Sequence, residues 1–337
     1  MLAEHLFGDR GPPAYLPGWL QQTIAHGWLG VDLFFVLSGY LITTILAGNR
    51  SAPTGDYFRS FYERRALRIL PLYLLVIAVL WAAGGKPYVP FLLICLLFAA
   101  NLENVFHFPG PPGAGPLWSL AVEEQFYLVW PWFVRWFDSA GLVAISVALL
   151  VLEPLARLSP IGGMEFTWGR ADGLAMGALL ALRLDSVAAI RERSGRLLVC
   201  FLAIAALLAV ADLIMTNEHL ASLAAHLRVS EAVLVFGALV AFGIAYSGAP
   251  VSSLLRAPFA RITANYSYAL YLVHAPLYVA YGRLIGPLHY PFLATQLPSG
   301  WLTRGVTVLI ASYGVAAFTR RFVELPFLRL GRPTRPS

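Results

Sequence analysis

Two adjacent carboxylates, Glu123 and Glu124, stand inside the apolar stretch GPLWSLAVEEQFYLVWPWF, and two guanidiniums three residues apart, Arg65 and Arg68, stand in FYERRALRILPLY. Successive helical residues point about 100° apart, so the two glutamates cannot share one partner. Either one caps or neutralises while the other lines a site, or both sit near a helix N-terminus and are held by its dipole. Arg65 and Arg68 fall on one helix face. Their donor forks suit phosphate oxygens, and such a pair can hold a diphosphate; the alternative is plain charge that orients a membrane helix. Asp32 heads the run GVDLFFVLSGYL, and Arg170, Asp172 and His274 interrupt other apolar runs. Arg170 and Asp172 are two apart, which is not a facing pair, so their ion partners are expected on other segments. His274 is either a proton carrier or a hydrogen-bonded packing residue. Histidine is also the usual general base, which draws in His5, taken alone an ordinary terminal residue.

The elements that must position these groups follow from composition. Hydrophobic residues make up 58% of the 337 and charged ones 12%, with a mean hydropathy of +0.69. A soluble domain carries charge on roughly a quarter of its residues. The apolar runs approach the roughly 20 residues needed to cross hydrocarbon, and they lack the alternation of a β-barrel strand. The expectation is an all-α polytopic bundle of nine to ten membrane segments, near 28–47, 66–83, 88–102, 117–137, 140–156, 171–184, 197–216, 229–247, 267–285 and 302–322. The segments 88–102 and 171–184 are short. Arginines cluster in 48–68, in 183–196, at Arg256 and Arg261 and in the tail, while 286–300 carries no charge. Placing every cluster on the cytoplasmic side requires one segment between 69 and 182 to stop short of crossing. The chain then crosses nine times, with residues 1–27 outside and the C-terminus cytoplasmic.

The net charge of +6 is therefore read as an orientation signal and not as a nucleic-acid surface. Cys95 and Cys200 lie in apolar runs without C-x-x-C spacing, so they are packing residues and no metal is expected. Met1 is followed by neither a basic start nor an apolar stretch, so no cleavable signal peptide is expected. The tract FPGPPGAGP is read as a turn before a helix opening at Leu117. With no linker or repeat, residues 1–337 are expected to form one integral-membrane domain.

Taken together and in this order, GWLGVDLFFVLSGYLIT (27–43), FYERRALRILPLY (61–73) and PLWSLAVEEQFYLVWP (116–131) resemble the acyltransferase-3 family of integral-membrane O-acyltransferases. SYALYLVHAPL (267–277) and VELPFLRLG (323–331) match its C-terminal part, so the resemblance covers roughly residues 4–331. It implies an acyl-CoA donor, with acetyl-CoA expected, bound on the cytoplasmic side of a bacterial inner membrane. It also implies an acceptor hydroxyl on a carbohydrate or lipid-linked glycan, reached from the other side. Arg65 and Arg68 match the family's Arg-x-x-Arg motif for acyl-CoA handling, and Glu123 and Glu124 match its acidic motif. The catalytic histidine, which ends the family's first membrane helix, falls by spacing on His5. The arginine that normally precedes it on that helix would lie before Met1, so the resemblance implies a start further upstream or a truncated, inactive member; His26 is the fallback base. Asp32 is expected to orient polar groups at the acceptor side, and Gly39 to let two helices approach closely. A capped helix start and a packing glycine are the alternative.

The chemistry so implied is acyl transfer, in which a neutral imidazole takes the proton of a hydroxyl as its oxygen attacks a thioester carbonyl, directly or through an acyl intermediate. The rival class is a transporter, with Asp32, Glu123, Arg170, Asp172 and His274 lining a proton or solute path. Transporters of that kind are commonly built from repeated halves, and no internal symmetry is visible here. Beyond membrane lipid and the glycan, the sequence indicates no partner and no oligomeric state.

Overall fold

In a computed structural model, described over residues 16–158, 163, 165–183, 221–246, 256–285 and 298–330 with isolated positions 199, 203, 204, 206 and 253, every regular element is helical. In chain order these are α1 (Gly18–Ala25), α2 (Gly30–Gly48), α3 (Thr54–Gly84), α4 (Val89–Leu96), α5 (Glu103–Phe106), α6 (Leu117–Trp136), α7 (Ser139–Arg157), α8 (Ala171–Arg183), α9 (Ala221–Ala245), α10 (Pro258–Leu284), α11 (Pro298–Thr319) and α12 (Leu325–Leu330). A five-residue π-helical turn, Arg320–Glu324, joins the last two.

Among the described residues five helices are long and apolar enough to cross a membrane: Gly27–Gly48, Thr54–Gly84, Ser139–Arg157, His226–Ala245 and Leu302–Leu330. The expected nine to ten segments are thus reached only in part, and the expected span 197–216 lies outside the described residues. The two short segments are short here as well. At 1.5 Å per residue α4 extends about 12 Å and α8 about 20 Å, less than the roughly 30 Å of hydrocarbon. They differ in surroundings. Nine of the 13 residues of α8 are buried, so protein, and not lipid, covers it. Leu93, Leu96 and Leu97 at α4 are exposed.

The ends of the elements follow local chemistry. Asp138 caps α7 by accepting from the Gly141 N–H at 2.8 Å, the standard solution for orphan amides at a helix start. Leu117 opens α6 after the proline-glycine tract, where Gly113 takes a left-handed φ of 93° and a Cβ would stand 3.0 Å from the Pro276 Cα. Glycine is required there on both counts.

The chain divides into two compact units, each described here by itself. The first contains α1, most of α3, then α4, α5, α10, α11 and α12. In it Tyr73 donates to the Cys95 carbonyl at 2.8 Å and stacks on Phe98, fastening α4 to α3. Cys95 is buried and free, in keeping with packing; Cys200 lies outside the described residues. Thr263 and Tyr313 bond at 2.7 Å between α10 and α11, and Tyr278 packs with Val308.

The second unit contains α2, α7, α8, α9 and nearly all of α6. Its closest seam is between α2 and α8. A Cβ on Gly39 would collide with the Leu174 carbonyl, and one on Gly177 with the Val36 carbonyl. On Gly173 it would stand 2.9 Å from the Phe35 Cβ. Gly173 and Gly177 form a small-xxx-small pair, the pattern that lets membrane helices touch backbone to backbone. Gly39 therefore has the packing role its sequence setting predicts. Val36, Met176, Leu180, Val233, Val240 and Ala241 form the apolar core beside this seam.

Candidate functional site

The second unit carries a chain of buried charge. Arg170, at the N-terminal edge of α8, reaches Asp32 on α2 with Nη2 2.9 Å from Oδ1, and both side chains are fully buried. The Arg170 guanidinium also lies 5.8 Å from the Phe35 ring centroid. One turn away, Arg157 at the end of α7 donates from Nη1 to Asp172 Oδ2 at 2.7 Å and to the Gly169 carbonyl at 2.6 Å. Its Nη2 donates to Ser230 Oγ on α9 at 2.6 Å. The Asp172 amide donates to Glu153 Oε2 on α7 at 2.5 Å. Four helices are thereby tied by two guanidiniums and three carboxyl groups, as low-dielectric burial requires if charge is to be tolerated there. Arg170 and Asp172, two apart in sequence, do take their partners from other segments.

A second polar cluster lies where α2 meets α6. Ser38 Oγ donates to Glu123 Oε1, Tyr127 Oη donates to the same oxygen, and the two hydroxyls contact each other. Glu123 and Tyr127 are four apart and share a helix face, which is why both reach Ser38. Glu123 is 5% exposed, whereas Glu124 is half-buried. The neighbours thus have different surroundings, as their 100° separation demands. One turn further on, the Trp130 Nε1–H donates to Thr43 Oγ1 at 2.8 Å, extending the contact between α2 and α6. Chemically, a carboxylate that accepts hydrogen bonds from two hydroxyls inside an apolar bundle is a hydrogen-bond acceptor held in a fixed orientation.

In the first unit Arg65 and Arg68 share one face of α3, as the three-residue spacing dictates. Arg65 is half-buried, with its guanidinium 6.0 Å from the Phe61 ring centroid, and Arg68 is exposed. His274 is fully buried, its Nδ1 3.1 Å from the Leu270 carbonyl one turn back, an arrangement that suits a packing histidine. Of the expected site residues the structure thus brings Asp32, Glu123 and Glu124 into one unit and Arg65 and Arg68 into the other. His5 lies outside the described residues. His26 is half-buried just before α2.

Sequence reasoning passed over several polar residues. Arg157 and Glu153 read as ordinary charges near a helix end, yet they hold Asp172. Arg304, 8% exposed, has its guanidinium 3.4 Å from the Tyr278 ring centroid and went unnoticed as a lone cation near a helix start. Glu324 was seen only as part of a closing motif, although a carboxylate inside a long apolar helix is itself a signal. Among the described residues no cluster of His, Cys, Asp and Glu could hold a metal ion.

Comparison with known proteins fits this arrangement. The chain is 26% identical to the peptidoglycan O-acetyltransferase OatA of Listeria monocytogenes over 342 residues, which takes in 90% of this chain and 52% of that protein. It is 35% identical to the putative peptidoglycan O-acetyltransferase YrhL of Bacillus subtilis over 156 residues, 40% of this chain and 24% of that one. It is 34% identical to the O-acetyltransferase OatA of Staphylococcus aureus over 124 residues, 33% of this chain and 20% of that one. The chain thus spans about half the length of the first relative and a quarter or less of the others. No solved structure matches it. The family model for the acyltransferase domain matches residues 6–321, nearly the whole chain, and the protein belongs to that acyltransferase-3 family of membrane proteins.

Proposed function

We propose that this protein transfers an acetyl group from cytoplasmic acetyl-CoA to a hydroxyl of peptidoglycan or a related glycan outside the membrane. The bundle would lie in a bacterial cytoplasmic membrane with the C-terminus inside. The observation that carries this reading is the family match over residues 6–321. The names of the Listeria and Bacillus relatives support peptidoglycan as the acceptor. The buried cluster of Ser38, Glu123 and Tyr127 adds a fixed hydrogen-bonding network inside the apolar bundle, of the kind that can orient a reacting hydroxyl.

In this mechanism His5 is the general base. Its neutral imidazole accepts the proton of the acceptor hydroxyl as that oxygen attacks the thioester carbonyl; the C–S bond breaks and the thiol leaves with a proton. Arg65 and Arg68 hold the phosphates of the donor. Glu123 steadies the hydroxyl network, with Glu124 beside it, and Asp32 fixes Arg170 and the seam that supports that network. Charges tied to one another in this way are a static use of burial, which argues against the transporter reading, where the same groups must change partners.

The deciding assay incubates membranes bearing the protein with radiolabelled acetyl-CoA and a peptidoglycan acceptor. Label in the glycan, lost when His5 is replaced by alanine, is the expected result. Absence of label transfer from wild-type membranes would remove the enzyme reading.

A further inference from the structure

Three stretches far apart in sequence meet near Arg68 in the first unit. Tyr268 on α10 donates to the carbonyl of Ile69, the residue after Arg68 on α3, at 2.7 Å. Arg320, which opens the π-helical turn Arg320–Glu324, donates from Nη1 to the Asn265 carbonyl on α10, with its guanidinium 5.8 Å from the Tyr266 ring centroid. Glu324 closes that turn. It is 5% exposed while Arg321 and Phe322 of the same turn are exposed, so the wide turn rotates one carboxylate inward. Through Tyr268 and Asn265 the segments that carry Arg68 and Arg320 both dock on one short stretch of α10, and the two positive charges act on Glu324.

Glu324 Oε1 is buried and accepts no hydrogen bond. A buried acceptor left without a donor costs about 1–3 kcal/mol, more when charged. π-Helical turns of this kind concentrate at functional sites. An inward carboxylate flanked by guanidiniums from two helices, one of them exposed, suits a site for a polyanion: the two guanidiniums are kept apart and aimed without being consumed by a closed ion pair.

We propose that Arg320 and Glu324 complete the donor site to which Arg68 belongs: Arg320 supplies a further guanidinium for the phosphates of coenzyme A, and Glu324 is the positioning residue that orients Arg68 and Arg320. This rests on the acyl-CoA reading above. The test measures binding of radiolabelled coenzyme A to the full chain in detergent at two salt concentrations, with thermal stability followed alongside. Wild type binds; Arg320→Ala weakens binding about tenfold and flattens its salt dependence, and Arg320→Lys restores part of both. Glu324→Gln, nearly isosteric, weakens binding several-fold, yet adds little on an Arg68→Ala, Arg320→Ala background because it acts through those two guanidiniums. A merely structural Glu324 would lower thermal stability without that loss of additivity, and this outcome overturns the proposal. Unchanged affinity in Arg320→Lys, Arg320→Ala and Glu324→Gln overturns it too, while leaving the donor reading intact. A wild type that binds no coenzyme A overturns the donor reading and this extension together.

Discussion

Replacing Asp32 by asparagine removes one charge of a fully buried pair and leaves Arg170 without its counter-ion. Breaking such a pair from one side costs about 3–5 kcal/mol, although the pair as a whole adds little net stability. Asp32→Asn and Arg170→Met should therefore each lower stability strongly, while the double variant recovers much of the loss; denaturant titration in detergent reads the cycle. Additive losses would mean the two groups do not act as a pair. Glu123 calls for a different measurement because its expected role is in turnover. Glu123→Gln keeps the shape of the side chain and an oxygen that can accept from both hydroxyls, but removes the charge that strengthens those bonds. Label transfer should drop by about tenfold, the scale of one weakened hydrogen bond to a charged group, with little change in thermal stability. Equal loss of stability and activity would make Glu123 a packing group. The residues that invited these tests were visible in the sequence as charges in apolar runs, but their partners were not. Asp32 and Arg170 are 138 positions apart, and local spacing says only that Arg170 does not face Asp172. Arg157, Glu153 and Arg304 each sit near a helix end, where a lone charge is ordinarily an interfacial group, so their burial could not be read locally; Glu324, inside an apolar helix, was the readable one.

Helices α2 and α8 depend on contact without side chains, and that dependence is testable at the scale of the element. Gly39→Ala and Gly177→Ala each push a methyl group into a backbone carbonyl, which cannot swing aside as a side chain can. Each should cost about 3 kcal/mol, at the upper end of overpacking penalties. Gly48→Ala on the same α2 helix meets open space and should be neutral or slightly stabilising, since alanine is the better helix former. Thermal stability in detergent distinguishes the three, and tolerance of all of them would deny the close seam. Separating α2 from α8 also moves Asp32 from Arg170, so the two glycine variants should lose acyl transfer in step with stability. Much of this was legible beforehand: apolar runs placed most helices within a few residues, and the glycine in an apolar run announced close packing. What was not legible was length. Proline lies inside α3, α6, α7 and α10 without ending them, as the expected segments allowed, but α3 begins twelve residues before the apolar run expected from 66. Polar and arginine-rich turns continue the same helix, because backbone bonding extends past the point where hydropathy falls.

At the scale of the whole molecule, α3 offers the test of which end faces which side of the membrane. Its 31 residues extend about 46 Å, against about 30 Å of hydrocarbon, so roughly three turns stand clear of the acyl chains. Charge decides which turns those are. Arg59, Arg64, Arg65 and Arg68 lie in the first half, while the far end carries exposed Trp81, an aromatic of the kind that settles at an interface. On the positive-inside rule the arginine-rich end is expected in the cytoplasm, and the donor reading requires Arg65 and Arg68 to be reached from that side. Single cysteines at Asp56, near the start of this helix, and at Lys86, just past its far end, should then react from opposite sides with a membrane-impermeant maleimide. Lys86→Cys should label in intact spheroplasts, and Asp56→Cys only in inverted vesicles. Buried Cys95 contributes little background. Arg329→Cys, in the basic C-terminal region, should label with Asp56→Cys if both arginine clusters share the cytoplasm. Labelling of Asp56→Cys from outside would invert the protein and leave the arginine pair facing a compartment without acyl-CoA. The donor reading would then fail on topology alone, whatever the assays of individual residues had found.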